Sequence, residues 1–279
     1  MLPSKVKELC QAYGIKPTKS KGQNFLVDDN IIAKILAGAN LKPTDQILEI
    51  GPGLGVLTEK LLETVDNLLA VELDDQVIVY LKKQFTEPLQ QGKLKLVEAD
   101  ALRVNFRELG LQDFKFKIVA NLPYSITSKF FRMFLEYGPK PLEIIVMIQK
   151  EVAKRIISQL GEMNLLALSA QFFGEPEILF EVPRSCFWPE PEIDSAVIKI
   201  KVKQQLPDID PKALFRLARI GFAAKRKQLH NNLAGGLKRN SEEIKQLLQQ
   251  LGLREDIRAQ DLSVDNWIAL TKLTTEKKY

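Results

Sequence analysis

Apolar and polar residues alternate along the first two thirds of the chain in blocks that favour strands and helices in turn. Short apolar runs predict buried strands at 46–51, 67–73, 94–100, 116–122 and 142–150. Helix-like segments, such as 57–65 and 76–85, separate them. Apolar strands that alternate with helices are typical of a parallel sheet covered on both faces. The pattern therefore predicts a doubly wound α/β sheet.

The pattern changes after the fifth strand. Two β-rich runs within 176–202 are joined by a proline-dense loop, which predicts an antiparallel hairpin at the end of the sheet. Residues 204–211 read as a linker. Asp210 and Pro211 can cap and start a helix that is expected to run to about Gly235 or Gly236.

Further helical patterns near 241–251 and 263–274 complete a small all-helical tail. We therefore predict two domains. The first, residues 1–203, contains the mostly parallel sheet with its terminal antiparallel hairpin, and the second, residues 208–279, is helical.

Composition narrows the possible chemistry. The chain has 279 residues and an apolar share of 45%, as globular proteins do, and no apolar run approaches the roughly 20 residues that span a membrane. Cys10, Cys186 and His230 are the only residues of their types, which argues against disulfide frameworks, histidine triads and Cys/His metal sites. We expect a cytoplasmic protein without membrane contact and without a bound metal.

The net charge of +5 is unevenly distributed. Residues 201–240 contain ten Lys and Arg against only Asp208 and Asp210, so the rest of the chain is slightly acidic. A basic segment on a near-neutral body indicates a polyanionic partner, with nucleic acid favoured over membrane because no amphipathic anchor accompanies it. A solvated basic helix without a partner is the alternative.

A glycine-rich loop follows the first predicted strand. Gly51, Gly53 and Gly55 lie between that strand and a helix, where missing Cβ atoms let a ligand approach the backbone. The dinucleotide-binding fingerprint requires a glycine at its sixth position, which is Val56 here. The loop therefore predicts a nucleotide-like ligand, but not the usual NAD site.

The next three strands each end in a polar side chain. Glu72 ends the second strand about 20 residues after the loop, where an acid can bind both hydroxyls of a ribose. Asp100 and Asn121 follow the third and fourth strands. Because ligands of open α/β sheets bind at the carboxyl ends of the strands, these residues are expected to share one site.

The fourth strand leads into Asn121-Leu122-Pro123-Tyr124. Pro123 disfavours helix at Leu122, so the Leu122 carbonyl can face the same crevice as the Asn121 side chain. Two acceptors match the two N–H donors of an exocyclic amine, and Tyr124 offers a face on which a planar base can stack. The tetrapeptide predicts a pocket for an amino-substituted base, although a common turn is the simpler explanation.

Several motifs in order resemble the S-adenosylmethionine-dependent ribosomal RNA adenine dimethyltransferase family. They are EIGPGLGVLT, VELD, EADAL and NLPYSITS, with KGQNFL upstream, and FWPEPEIDSAV, FAAKRKQLHNNL and RAQDLSVDNWIAL downstream. The resemblance runs from about Gly22 to the C-terminus. It implies a Rossmann-like methyltransferase domain, a small helical domain, and N6-dimethylation of two adjacent adenines in a hairpin near the 3′ end of small-subunit rRNA.

The resemblance also assigns roles to residues. It implies that the cofactor S-adenosylmethionine is held by Asn24, Leu26, Gly51, Gly53, Glu72, Asp100 and Asn121. The target amine is implied to be held by Asn121 and Leu122, and the target base to stack on Tyr124 and Phe187. The substrate is implied to be small-subunit rRNA or a pre-30S particle, and a monomer is the expected state.

The basic part of the predicted 211–236 helix is expected to contact rRNA. Lys225, Arg226 and Lys227 are consecutive, so they cannot all lie on the apolar face of a helix, and at least two should project outward with Arg219 or Lys238. We expect these cations to bind phosphates.

The chain departs from the family pattern in three places. Ser20-Lys21 replaces Arg-Phe, Met163-Asn164-Leu165 replaces Tyr-Gly-Arg, and His230 replaces an Arg of the tail. None belongs to the cofactor or target-base motifs, so the resemblance still implies activity, while the details of RNA docking are affected.

Three alternatives remain. A macrolide-resistance methylase of large-subunit rRNA shares the core, but it usually has Ile at the position of Leu122 and lacks the basic helix. A DNA adenine methyltransferase would use a similar motif, but the chain shows no target-recognition domain. A non-enzymatic ribosome-assembly or transcription factor is the third.

Overall fold

The computed structural model describes residues 1–17 and 24–276. In these residues the chain forms two compact units. The first comprises Met1–Ala153 and Glu175–Val202, and the second comprises Lys154–Gly174 and the chain from Lys203 onward. Ser20 and Lys21, one of the three departures from the family pattern, lie outside the described residues.

The strands follow the predicted ones closely. They are β1 (Phe25–Leu26), β2 (Gln46–Ile50), β3 (Asn67–Glu72), β4 (Leu94–Glu98), β5 (Phe116–Asn121), β6 (Glu143–Gln149), β7 (Gly174–Val182), β8 (Phe187–Trp188) and β9 (Ser195–Val202). The five runs predicted to be strands correspond to β2 to β6. The apolar residues of β2, β3, β5 and β6 are buried, since a parallel sheet between helix layers exposes neither face, whereas Leu96 and Val97 of the edge strand β4 are half-buried.

The large sheet has seven strands in the order β4-β3-β2-β5-β6-β9-β7. Neighbouring strands from β4 to β6 are parallel, and β9 runs antiparallel to β6, with Gln149 opposite Ser195. The chain builds β2, β3 and β4 in one direction and then returns to place β5 on the other side of β2. This reversal creates the crevice in which sheets of this type bind ligands. The predicted Rossmann-like fold is confirmed.

A separate two-stranded ribbon joins distant parts of the chain. In it β1 pairs antiparallel with β8, so that Phe25 lies opposite Trp188 and Leu26 opposite Phe187. The loop inside the predicted hairpin therefore contains a strand of its own. The pairing connects the segment assigned to the cofactor with the segment assigned to the target base.

The helices of the first unit lie mostly between the strands. They are α1 (Pro3–Ala12), α2 (Asp29–Ala39), α3 (Val56–Leu62), α4 (Asp75–Gln84), α5 (Thr86–Gln90), α6 (Thr127–Arg132) and α7 (Lys150–Ile156), the last of which continues into the second unit. Asp28 and Asp74 cap α2 and α4 by accepting backbone N–H bonds.

The second unit is helical. Its helices are α8 (Leu165–Phe173), α9 (Pro211–Gly221), α10 (Leu229–Leu237), α11 (Ser241–Gln250) and α12 (Val264–Glu276). The segment Lys154–Gly174 belongs to this unit, whereas the predicted first domain, 1–203, included it. The reason is that α8 is largely apolar and packs against α9, where Phe173 stacks on Phe215 with ring centroids 5.6 Å apart.

The single helix predicted from 211 to about 236 is wrong. Asp210 caps its start as expected, but α9 ends at Gly221 and a turn leads to α10. The side-chain amide of Asn232 donates to the carbonyls of Gly221 and Ala224, at 2.7 and 3.1 Å, and so satisfies groups that the helix end leaves without partners. Lys225, Arg226 and Lys227 therefore lie in an exposed turn instead of on a helix.

Candidate active site

A cavity opens at the carboxyl ends of β2, β3 and β5, beside the reversal in strand order. Its volume is about 210 Å³, well over ten times the roughly 10–15 Å³ that one water molecule needs, so it has room for a ligand. The cavity wall contains every residue assigned to the cofactor: Asn24, Leu26, Gly51, Gly53, Glu72, Asp100 and Asn121. Leu122 and Tyr124 also line it.

The glycine loop passes along the cavity with a left-handed backbone. Gly51 and Gly53 have φ values of +68° and +55°, a region that side chains with a Cβ rarely adopt. A Cβ on Gly53 would in addition lie 3.1 Å from the ring of Phe25 in β1. The missing side chain of Gly53 thus lets the loop and the β1–β8 ribbon lie close together beside the cavity.

Glu72 is held rigidly at the end of β3. Its side chain accepts three backbone N–H bonds, from Gly53 at 3.2 Å, Leu73 at 2.7 Å and Asp74 at 3.0 Å. Burial raises the pKa of this carboxyl, and the three backbone bonds oppose the rise because they stabilise the charged form. The bond from Gly53 also joins the glycine loop to the end of β3, so Glu72 holds these two parts of the cavity wall together.

Asp100 is more open to solvent. One carboxylate oxygen accepts from the backbone N–H of Leu102 at 2.9 Å, and the other lies 3.4 Å from Nε of Arg103, an exposed side chain. An exposed ion pair of this length contributes little. One oxygen of Asp100 is therefore available to accept a hydrogen bond from a ligand in the cavity.

Asn121 has a defined orientation. Its amide nitrogen donates to the backbone carbonyl of Asn24 at 3.3 Å, so the amide oxygen is directed away from that contact. Leu122 is buried, its N–H bonds to the carbonyl of Met147, and Pro123 follows with extended backbone at φ −56° and ψ 127°. The chain thus leaves β5 extended, as predicted, before Tyr124 begins a short 3₁₀ turn.

Phe187 does not line the cavity of the described structure. It pairs with Leu26 in the β1–β8 ribbon and is only 4% exposed. The described structure therefore places the Phe187 ring in the ribbon and not at the cavity wall.

Two residues of this site were missed by the sequence reasoning. Ser195, the first residue of β9, has its hydroxyl 2.7 Å from the Tyr124 hydroxyl. Glu49 lies in β2, lines the cavity and is 1% exposed. A lone carboxylate in the apolar run QILEIG could have been recognised as a signal, because buried carboxylates are rare unless they have partners.

The environment of Glu49 favours its neutral form. Burial raises the pKa of Glu49 to about 8; the hydroxyl of Thr58, which donates at 2.7 Å, opposes the rise, and the nearby carboxylate of Glu72 adds to it. At neutral pH the Glu49 carboxyl on the cavity wall therefore retains its proton.

This proton predicts a specific pH dependence of stability. The unfolded chain releases the Glu49 proton near pH 4.5 and the folded chain near pH 8, so folding stability is lost as the pH rises between these values. We expect Glu49→Gln to be stabilised relative to the native chain by an amount that grows by about 1.4 kcal/mol per pH unit in this window.

Urea unfolding of both proteins at pH 5, 6, 7 and 8 measures this difference, with Glu98→Gln as an exposed control on β4. A difference that stays constant with pH would mean that Glu49 is ionised in the folded protein.

The cations assigned to RNA lie in the second unit. Arg219 is exposed on α9, and Lys225, Arg226 and Lys227 are exposed in the turn before α10. The predicted exposure of this basic group is thus observed, although the reason given for it, a helical arrangement, was wrong.

The other two departures from the family pattern have structural roles. Asn164 caps α8 by accepting from the N–H groups of Leu166 and Ala167, and Met163 before it is buried. His230 is buried between the Ser241 hydroxyl at 2.7 Å and the Gln228 side-chain oxygen at 2.8 Å. These residues stabilise the helical unit at places where the family usually has other side chains.

The described residues contain neither a membrane span nor a cluster of metal ligands. In residues 1–17 and 24–276, no helix is both long and apolar enough to cross a membrane. Within the same part of the chain, His, Cys, Asp and Glu side chains do not form a group of three suited to a metal ion.

Comparison with known proteins agrees with this geometry. The family model for ribosomal RNA adenine dimethylase matches residues 15–276. A ribosomal RNA small subunit methyltransferase A from Dehalococcoides mccartyi is 40% identical over 277 residues, which cover 99% of this chain and 94% of the relative.

Two solved structures have the same fold as this chain. A dimethyladenosine transferase from Plasmodium falciparum has a TM-score of 0.77 at 25% identity, covering 91% of this chain and 98% of that one. The 23S rRNA methyltransferase ErmE has a TM-score of 0.69 at 23% identity, covering 89% and 98%. This second likeness shows a shared fold alone.

Proposed function

Because this chain belongs to the ribosomal RNA adenine dimethylase family, we propose that it dimethylates N6 of two adjacent adenines in a hairpin near the 3′ end of small-subunit rRNA. The chain is an S-adenosylmethionine-dependent rRNA adenine dimethyltransferase. The observation that carries the proposal is a single cavity in which the glycine loop and two carboxylates face the Asn121-Leu122-Pro123-Tyr124 segment.

The residues on one side of the cavity fit the cofactor. Glu72 would accept hydrogen bonds from both ribose hydroxyls, and Asp100 would accept one from the adenine amine. The glycine loop around Gly51, with Asn24 and Leu26, would hold the methionine part. When bound, S-adenosylmethionine supplies an electrophilic methyl group on a sulfonium sulfur.

The opposite side of the cavity fits the target base. The Asn121 side-chain oxygen and the Leu122 carbonyl would accept the two N–H bonds of the adenine amine, which favours a pyramidal nitrogen with its lone pair directed at the methyl group. Tyr124 would stack on the base and hold it in this near-attack orientation. Phe187 would cover the other face after its ring is uncovered.

The transfer requires no general base from the protein. The N6 lone pair forms the new C–N bond, the C–S electron pair stays on sulfur, and the product cation is acidic enough to lose its proton to water. Asn121 and Leu122 therefore contribute by orienting the amine, and proton removal follows the attack.

The basic turn would hold the RNA. Arg219, Lys225, Arg226 and Lys227 are exposed cations, and phosphate contacts supply most of the sequence-independent affinity for nucleic acid. We propose small-subunit rRNA or a pre-30S particle as the substrate, a monomeric state and a cytoplasmic location.

The RNA contact of the turn is tested by its salt dependence. A Lys225→Gln, Arg226→Gln, Lys227→Gln variant is expected to bind RNA more weakly, and its slope of log affinity against log salt should be shallower by up to about 2–3 units, because each phosphate contact contributes about 0.7–0.9. Cofactor affinity should not change.

A control with the same change in net charge carries Gln at the exposed Lys7, Lys82 and Lys115 of the first unit. If both variants show the same slope, general charge and not this turn determines the binding.

The substrate is tested by incubating the protein and isotopically labelled S-adenosylmethionine with pre-30S particles, 50S particles and naked DNA. We expect label in the small-subunit rRNA, and nucleoside analysis should identify it as N6,N6-dimethyladenosine at two adjacent positions. Label in 50S particles would indicate a macrolide-resistance type of methylase, and label in DNA a DNA methyltransferase. No transfer to any of them would indicate a non-enzymatic assembly factor.

A further inference from the structure

The hydroxyl of Tyr124 is anchored on the far side of β6. Its oxygen lies 2.7 Å from the hydroxyl oxygen of Ser195, which is 71 positions later in the chain. Because β9 is antiparallel to β6, the first residue of β9 lies at the carboxyl edge of the parallel strands, opposite Gln149. This is the edge at which the cavity opens, so Tyr124 reaches over the end of β6 to Ser195.

The bond is well protected. Ser195 is fully buried, and Tyr124 is partly buried at the cavity wall. Burial raises the pKa of the Tyr124 phenol, so the hydroxyl keeps its proton at neutral pH and can take part in the bond. The hydroxyl lies on the long axis of the ring, so this bond fixes the direction of that axis and with it the place of the ring at the cavity wall.

We propose that Ser195 is a positioning residue for the second methyl transfer, acting through Tyr124. The inference rests on the proposed function, in which Tyr124 stacks on the target adenine. In the first transfer the amine has two N–H bonds, and both acceptors, Asn121 and Leu122, orient it.

The singly methylated amine retains one N–H, so only one of the two acceptors can still bind it. Each transfer replaces one N–H bond by an N–CH₃ bond, with the proton lost to water and the C–S electron pair left on sulfur. With one hydrogen bond gone, the orientation of the base depends more on the ring that stacks on it. A ring that is no longer fixed by Ser195 should therefore slow the second transfer more than the first.

The test compares Ser195→Ala, Tyr124→Phe and the double variant in the full-length protein. Single-turnover reactions on the rRNA substrate, followed by mass analysis of nucleosides, give the rates of the first and second transfers separately. We expect each single variant to lower the ratio of the second rate to the first by about three- to tenfold, which corresponds to the net value of one hydrogen bond.

The double variant should match the single variants, because both changes remove the same bond. Ser128→Ala, an exposed serine on α6, serves as the control and should dimethylate like the native protein. Cofactor affinity measured by calorimetry should be unchanged in Ser195→Ala, because Ser195 is not part of the cavity wall in the described structure.

Two results would overturn the inference: an unchanged ratio of the two rates, or losses in the two single variants that multiply in the double variant. If Ser195→Ala does not fold, Tyr124→Phe removes the same bond from its other partner and decides the matter alone. Failure of the native protein to methylate rRNA would instead refute the proposed function, so the two failures are distinguishable.

Discussion

Replacing Asn121 with alanine is expected to lower turnover by about 10²- to 10³-fold, the usual cost of removing one aligned hydrogen-bonding group from a reacting centre. The variant loses the oxygen that would accept an N–H of the target amine. It also loses the bond of 3.3 Å from the amide nitrogen to the Asn24 carbonyl, so a smaller loss of cofactor affinity should accompany it. Single-turnover methyl transfer at saturating cofactor separates the two effects.

Asn67→Ala is the matched control, since Asn67 begins β3 at the opposite edge of the sheet and its side chain is exposed. This variant should transfer methyl groups at the native rate. If Asn121→Ala is as fast as Asn67→Ala, the target amine binds elsewhere.

Glu72→Ala should weaken cofactor binding by about 10²- to 10⁴-fold. Two hydrogen bonds to a charged acceptor would be lost, each of about 1.5–3 kcal/mol. The same change leaves the N–H groups of Gly53 and Asp74 without their acceptor, so urea unfolding should accompany the titration calorimetry. Glu72→Gln keeps one acceptor oxygen and should have an intermediate affinity.

The control for this prediction is Glu98→Ala. Glu98 lies opposite Glu72 on the neighbouring strand β4, is exposed, and is not part of the cavity wall in the described structure. Its loss should leave cofactor affinity unchanged. Unaltered affinity in Glu72→Ala would show that another residue binds the ribose.

The sheet and the place of the site could be predicted from the sequence, because both depend on local patterns. A parallel strand is buried on both faces, so β2, β3, β5 and β6 appear as continuous apolar runs with well-defined ends. The carboxyl ends of parallel strands share one edge, so Gly51, Glu72, Asp100 and Asn121 could be brought together without coordinates.

The second unit shows where local patterns fail. Residues 222–228 contain nothing that stops a helix, and the continuous helix predicted there is wrong because Asn232 bonds to carbonyls of Gly221 and Ala224 and stabilises a turn. In the same way α8 groups with the helical unit because its apolar side chains pack against α9. Both outcomes depend on side-chain contacts that the pattern of apolar and polar residues does not specify.

The sequence by itself thus determined which polar residues follow the strands and which chemistry they offer. The reason is that the length of each apolar run sets which residue lies at the end of the strand. Tertiary structure alone decided the protonation, orientation and burial of the groups at the site. The proton on Glu49 depends on complete burial beside Thr58 and Glu72, the direction of the Tyr124 ring axis on Ser195, and the burial of Phe187 on its pairing with Leu26. Desolvation and hydrogen-bond geometry arise only when distant segments meet, so they cannot be read from neighbours in the chain.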